Sequence, residues 1–361
     1  MKVLVALKLT ADANMTAEIK SILLTKRVSN LLVLTDSPYI TELPNVTYFY
    51  LPTIIAKIPI IRVITRLFYM IYICFTKKPD MIICYHLTAY GLSGLFCSKV
   101  FGIPVSVHLL GEDIDKYCKS IFIGPILLQL LRKFNVITVQ GRNGKRFLEE
   151  KKITKNVYIL PTVGDLSKFY PVSVPKKYDI IFVGRLSKEK RVDILLKAIL
   201  KVKKTYRKEI KAAIVGSGPL IDDLKKMTSD LNLGDNVEFL GWQENIDYYL
   251  NKSKLFILTS EREQLPLSMI EAMACGVVPV VPDVGNITDV ANPSNSIVVR
   301  PLDINGFSNA IIKLLNDKES YKMLSQNALE VRKTHSIVNN AKIWREIFDN
   351  CIYTIRFESD I

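Results

Sequence analysis

Short apolar runs alternate with amphipathic stretches along most of this chain. VLVAL from Val3, LLVLT from Leu31, MIICY from Met81, PVSVHL from Pro104 and VITVQ from Val136 form a first series. DIIFVG from Asp179, KAAIVG from Lys211, VEFLG from Val237, LFILT from Leu255 and VVPVV from Val277 form a second. Continuous apolar strands alternating with helices predict parallel sheets covered on both faces. Between the series, residues 160–179 hold three prolines, a Gly-Asp turn and a lysine pair, with no sustained period. The expected architecture is therefore α/β, with two doubly wound, Rossmann-like domains. A length of 361 residues fits two such cores. The expected boundaries are 1–168 and 169–340. In the last segment, 341–361, Trp344, Ile347, Phe348, Cys351 and Ile352 share one helical face. That helix either packs on its own domain or crosses back to the first. Ligands of such sheets bind beyond the carboxyl ends of the strands, so a site in the cleft between the domains is expected.

Composition narrows the class. Apolar content of 49% with 23% charged residues is globular. The opening MKVLVALKLTADAN, interrupted at Lys8 and Asp12, reads as a strand and not as a signal peptide. LFYMIYICF, from Leu67, falls short of the ~20 apolar residues that span a bilayer. The six cysteines form no C-x-x-C, which points to buried thiols in a reducing compartment. Charge is uneven: residues 1–172 carry a net +11 and the remainder +3. A basic first half suits an anionic substrate, polyanion or membrane surface, or is a solvated surface and no more.

Five segments can carry chemistry. In FVGRLSKEKRVDILLKAI, Arg185 and Lys190 sit between a strand and a helix. Cations at a helix start oppose its dipole, so they call for an anion, and a diphosphate would suit the pair. In IVGSGPLIDDL, Gly216 and Gly218 make a turn that serves either a ligand or the backbone alone; Ile221 replaces the third glycine of a dinucleotide fingerprint. SEREQLPLSMIEAMACG places Glu263 in a loop and Glu271 in a short helix stopped by Gly276. Those carboxylates can accept from paired sugar hydroxyls, and the amides of Leu267 and Ser268 can hold phosphate oxygens. Glu261 reads as a surface acid.

In VSVHLLGEDIDKY, His108 is the best placed of His86, His108 and His335, although a lone histidine is more often structural. Asp113 and Asp115 read as a helix start more than as a metal pair. The fifth segment, IAKIPIIRVITRLFYMIYICFTKKP, intersperses Lys57, Arg62, Arg66, Lys77 and Lys78 among apolar residues. It is a covering helix of the sheet, with its basic edge near lipid as a second reading.

Taken together and in this order, these segments resemble the retaining glycosyltransferases of family 4, of GT-B fold, over nearly the whole chain. Glu263 and Glu271 match that family's E-x7-E motif, Arg185 and Lys190 its diphosphate pair, and VHLLGED its N-terminal histidine segment. The resemblance implies an N-terminal acceptor domain and a C-terminal donor domain. It also implies retaining, metal-independent transfer of a sugar from a nucleoside diphosphate to a glycan or lipid-linked acceptor, without a cofactor. Arg185 and Lys190 would neutralise the leaving diphosphate. Glu271 would take the ribose hydroxyls and Glu263 the sugar, with His108 beside the reacting centre. The implied location is cytoplasmic, peripheral at the inner face of an anionic membrane, with no nucleic-acid partner. Three departures stand out. Gln264 and Asn286 occupy positions where the family has glycine, with Asp289 the acid that follows, and LKLTADANMT lacks the usual glycine pair. Rival readings are an epimerase or phosphorylase of the same fold, an inactive sugar-nucleotide or membrane scaffold, and a nucleic-acid binder supported by basicity alone.

Overall fold

The computed structural model describes residues 1–7, 13–36, 42–52, 59–206 and 209–358. The chain divides into two compact units, Gly164–Ser336 and the remainder, Met1–Val163 with Ile337–Ile361.

The first unit carries β1 (Lys2–Ala6), β2 (Asn30–Thr35), β3 (Val46–Tyr50), β4 (Met81–Tyr85), β5 (Val105–Leu109), β6 (Val136–Val139) and β7 (Val157–Ile159). They form one parallel sheet in the order β3-β2-β1-β4-β5-β6-β7. β1, β4, β5 and β6 are buried nearly throughout, as strands covered on both faces must be. On one face, Leu4, Leu32, Ile82 and Val107 meet α2 (Pro59–Lys77), α3 (Leu92–Phe101) and α4 (Gly124–Leu131) through Met70, Cys97 and Leu127. On the other, Val3, Val33 and Ile83 meet α1 (Ala13–Leu24) through Ile19, and Trp344, Ile347, Phe348 and Cys351 of the last helix. The Ile352 side chain lies outside the described residues. α5 (Arg142–Glu150) follows β6.

The second unit carries β8 (Tyr178–Val183), β9 (Ala212–Val215), β10 (Val237–Gly241), β11 (Ser253–Ile257), β12 (Val278–Pro282) and β13 (Ile297–Val299). This sheet is also parallel, ordered β10-β9-β8-β11-β12-β13. Its helices are α6 (Val192–Thr205), α7 (Ile221–Asp230), α8 (Ile246–Asn251), α9 (Leu267–Ala274), α10 (Ile304–Asn316), α11 (Lys318–Ala328) and α12 (Val331–Thr334). α13 (Ile337–Glu358) returns to the first unit and packs along α1. Arg27 of the first unit pairs with its Asp349 at 3.0 Å.

All ten strands expected from the apolar runs are present, and β3, β7 and β13 are added. Each added strand lies at a sheet edge. An edge strand is only half covered, so VTYFY (β3) stays partly exposed. β7 and β13 have only three residues each.

The fifth segment departs from the covering-helix reading on its outer side. Met70, Ile73 and Cys74 of α2 are core, while Phe68, Tyr72 and Phe75 face solvent. Arg66 is no surface cation. Its guanidinium grips the Asp36 carboxylate, lies 4.4 Å over the Tyr90 ring and is buried. Tyr90 donates to the same carboxylate at 2.6 Å. Lys57, and residues 8–12 of the glycine-free stretch LKLTADANMT, lie outside the described residues.

Candidate functional site

The second unit gathers most of the expected residues on loops that follow its strands. Arg185 comes two residues after β8, with an exposed guanidinium. A single turn of 3-10 helix, Lys188–Lys190, then leads to Arg191, whose φ of 48° turns the chain into α6. The anion demanded by cations at this helix start is partly internal. Lys190 Nζ donates to Glu263 Oε1 at 2.5 Å, and Ser260 Oγ donates to the same oxygen at 2.7 Å. Arg191 pairs with Asp193 at 2.9 Å and lies 3.9 Å from Glu261. The Thr259 hydroxyl donates to the Arg191 carbonyl at 2.9 Å, and the Glu261 amide to the Glu189 carbonyl at 2.8 Å. The β8–α6 and β11–α9 loops are thus stitched together by backbone and side chain.

Gly216 and Gly218 let the β9–α7 loop lie against the β8 loop. Gly216 has φ 132°, and a Cβ there would stand 1.9 Å from the Gly184 carbonyl oxygen. A Cβ on Gly218 would stand 2.3 Å from the Leu186 oxygen. Both glycines line a cavity of ≈ 500 Å³, together with Arg185, Ser217, Trp242 and Gln243. Trp242 is 68% exposed, an unusual position for the largest apolar side chain. Sequence reasoning passed over it. Its one available signal was an aromatic following the β10 glycine in FLGW.

α9 opens at Leu267 with Pro266 before it. The amides of Leu267 and Ser268 belong to the first turn, which has no carbonyl partner within the helix. The helix ends as expected at Gly276, with φ 72°. The Gly276 amide donates to Met273 O and the Val277 amide to Ala272 O, each at 2.9 Å, a Schellman closure. Glu271 lies mid-helix. Burial pushes its carboxyl up to about 7, against the milder opposing charge of Lys168. Gln264 and Asn286 are partners: the Asn286 amide donates to the Gln264 carbonyl at 2.7 Å, and its Nδ2 to Gln264 Oε1 at 3.4 Å.

The remaining expected residue, His108, belongs to the first unit and is not on a loop. It is the fourth residue of β5, 3% exposed, with Nδ1 2.8 Å from Thr138 Oγ1 and its ring 4.9 Å from that of Tyr85. Burial holds its pKa down to about 3, more strongly than Asp113 raises it, so the imidazole is neutral at ordinary pH. His335 is likewise buried and held down to about 4 by desolvation.

His86 occupies a different position. It is the first residue after β4, at a carboxyl end of the sheet, with φ 69° and a partly exposed ring. It is one of nine non-glycine residues with positive φ among the described residues. Its Nδ1 lies 3.4 Å from Asp113 Oδ2. Asp113 is fully buried and takes the amides of Leu87 and Leu110, each at 3.0 Å. The D-x-D is therefore split. Asp113 ties two strand ends together, whereas Asp115 is exposed on Lys119 at 2.6 Å. The helix-start reading places Asp113 correctly but misses its role, because its acceptors serve other loops.

Residues 165–331 match the family model of the glycosyl transferases group 1. The chain is 31% identical over 179 residues to the N-acetyl-alpha-D-glucosaminyl L-malate synthase of Bacillus anthracis, covering 49% of this chain and 46% of that enzyme. It therefore spans less than half the length of that relative. It is 25% identical over 324 residues to the UDP-Gal:alpha-D-GlcNAc-diphosphoundecaprenol alpha-1,3-galactosyltransferase of Escherichia coli, covering 84% of this chain and 82% of that one. Among solved structures, Anabaena HepE in complex with UDP matches with a TM-score of 0.76 at 16% identity, over 97% of this chain and 100% of that one. At that identity the likeness is one of fold.

Proposed function

We propose that this chain, whose residues 165–331 match the group 1 glycosyltransferases, transfers a sugar from a UDP-sugar to a glycan or lipid-linked acceptor, with retention at the anomeric carbon. One observation carries this reading. Arg185 borders a ≈ 500 Å³ cavity lined by Gly216, Gly218 and Trp242, and the same β8 loop supplies Lys190, held to Glu263.

In this reading Trp242 stacks on the base, and the glycines admit the nucleotide close to the backbone. Arg185 and Lys190 neutralise the charge that grows on the leaving diphosphate, assisted by the Leu267 and Ser268 amides. Two fixed cations supply what a divalent ion supplies elsewhere, so no metal is required. An arriving phosphate takes Lys190 and releases Glu263 for the sugar hydroxyls. Glu271 exchanges its proton for hydrogen bonds from the ribose. We assign to His86, oriented by Asp113, the place that the resemblance gives His108, on the acceptor side of the reaction.

UDP is favoured because the E. coli relative is named for UDP-Gal and HepE was solved with UDP. The diphosphoundecaprenol in the E. coli enzyme's name, with the net +11 of residues 1–172, favours a lipid-linked acceptor met at the cytoplasmic face of a membrane. A thermal-shift panel of UDP-, GDP- and ADP-sugars tests the donor. A UDP-sugar should raise the melting temperature by mass action and the others should not. Silence towards every donor would sink the transfer reading in favour of a scaffold of the same fold.

A further inference from the structure

Helices α2, α3 and α4 cover one face of the first sheet, and each buries only one side. On the outer side, Phe68, Tyr72 and Phe75 follow one another along α2 at helical spacing, 57–70% exposed. Phe96 stands out from α3. In the turn before α4, Ile121 and Phe122 are 87% and 88% exposed, almost as open as in an unfolded chain. Single exposed apolar residues are ordinary. A layer of them, five of them aromatic, on helices that share one sheet face, marks a docking surface.

Charge decides what docks. α2, α3 and α4 contain Arg62, Arg66, Lys77 and Lys99 and no Asp or Glu. Residues 59–133 as a whole hold nine Lys or Arg against four Asp or Glu. Of those acids Asp113 is buried and Asp115 is already paired with Lys119. Lys77, Lys78, Lys99, Arg132 and Lys133 are exposed around the apolar layer. We propose that this face docks on an anionic lipid bilayer. Phe68, Tyr72, Phe75 and the Ile121–Phe122 turn enter the boundary between headgroups and acyl chains, and the surrounding cations meet lipid phosphates. A second copy of this chain would present the same cationic rim to itself in a two-fold pairing, which disfavours self-association. Among the described residues no helix is long and apolar enough to cross a membrane, so the contact lies on the surface. The proposal stands on exposure and charge and does not depend on the transfer reading.

Flotation of the full chain with phosphatidylcholine vesicles, with and without phosphatidylglycerol, tests it. The chain should float with the anionic vesicles, and less so as salt is raised. Ile121→Ser/Phe122→Ser should lower the partition coefficient by at least about tenfold, equivalent to ~1.4 kcal/mol. Its melting temperature and donor response should stay unchanged, since neither side chain is packed in the core. Lys77→Gln/Lys99→Gln should lose the preference for anionic over neutral vesicles. The proposal fails if the parent chain stays in solution with both vesicles, or if the serine variant floats like the parent. It also fails if light scattering finds a dimer that the serine variant dissociates, because the face would then be a contact between copies.

Discussion

In the second unit the candidate side chains stand on loops beyond the strand ends, where Arg185 and Trp242 border a cavity and Lys190 and Glu263 are partly buried against each other. In the first unit several polar groups lie inside the layers. His108 and Thr138 face each other across neighbouring strands, and Asp36 holds Arg66. Two acids make the contrast sharpest. Burial raises Glu18 to about 8 and Glu271 to about 7. Glu18 has partners within its own layer, Tyr85 at 3.4 Å and Asn340 at 3.5 Å. For Glu271 the opposing influence is the charge of Lys168, and the proposed reading has ribose hydroxyls supply its hydrogen bonds. Buried Asn236 and Asn251 tie backbone together in the second unit as well, so the contrast lies in the loop residues and in Glu271.

The largest expected effect falls at the loop cation. Lys190→Ala should lower sugar transfer or donor hydrolysis by on the order of a hundred- to a thousandfold, as does loss of a group aimed at developing charge. Folding should survive, because Glu263 keeps the Ser260 hydroxyl and is not sealed from water. Turnover near the parent value in a folded Lys190→Ala protein would remove the diphosphate assignment.

Next comes Glu271. Its folded pKa of about 7 exceeds the ordinary 4.5, so the empty fold retains a proton that the unfolded chain has released. Stability therefore falls as pH rises from 4.5 through 7, by up to ~3 kcal/mol. Glu271→Gln should melt higher than the parent above pH 7 and lose the thermal shift caused by donor. A stabilised variant with an intact donor shift would show Glu271 to be as structural as Glu18.

These two predictions concern residues that the sequence singles out by their charge and their place beside strand ends. FVGRLSKEK and SEREQLPLSMIEAMACG announce strand-to-helix loops in the sequence, but the Lys190–Glu263 contact joins residues 73 apart and shows only in the fold. Strands of the sheet interiors were readable because burial on both faces writes a continuous apolar run. His86 was not readable. Its significance depends on a left-handed turn and on Asp113, which lies 27 residues later in the chain and meets it only after β5 is laid beside β4. His108, at the end of a strand, takes its place beside the reacting centre from the resemblance. The pleat, which alternates the side chains, instead turns it beneath Tyr85 and Thr138. The outer side of α2 escaped because apolar composition alone does not say which apolar face is covered.

The two histidines can be separated by experiment. His86→Gln should lower turnover by about ten- to a hundredfold at nearly unchanged melting temperature. His108→Gln should cost ~1–3 kcal/mol of stability through its buried partners and leave the turnover of folded enzyme within about twofold. The pH dependence supplies a second readout. With a folded pKa of about 3 against 6.5, His108 contributes stability that is present above pH 6.5 and lost as pH falls towards 3. That acid slope should flatten in His108→Gln and persist in His86→Gln. The reverse pattern would return the catalytic place to His108.

The smallest effect concerns Gln264 and Asn286, the two residues that replace expected glycines. Their contact shows that the replacements are not independent: one backbone bond of 2.7 Å and one side-chain bond of 3.4 Å join them. Between them Gly285, at φ 59°, lies so close that a Cβ would stand 1.9 Å from the Glu263 carbonyl oxygen. The Asn286 loop therefore presses on the very segment that carries Glu263. Gln264→Gly alone removes the side-chain acceptor from Asn286, whose Oδ1 is already buried without a partner. Asn286→Gly alone removes the donor. The double variant restores two glycines and strands neither group. A double-mutant cycle on donor affinity should give a coupling of ~1 kcal/mol, with the double variant closer to the parent than the sum of the single losses. Strictly additive losses would mean that the two residues act separately on the sugar, and that their hydrogen bond is incidental to the position of Glu263.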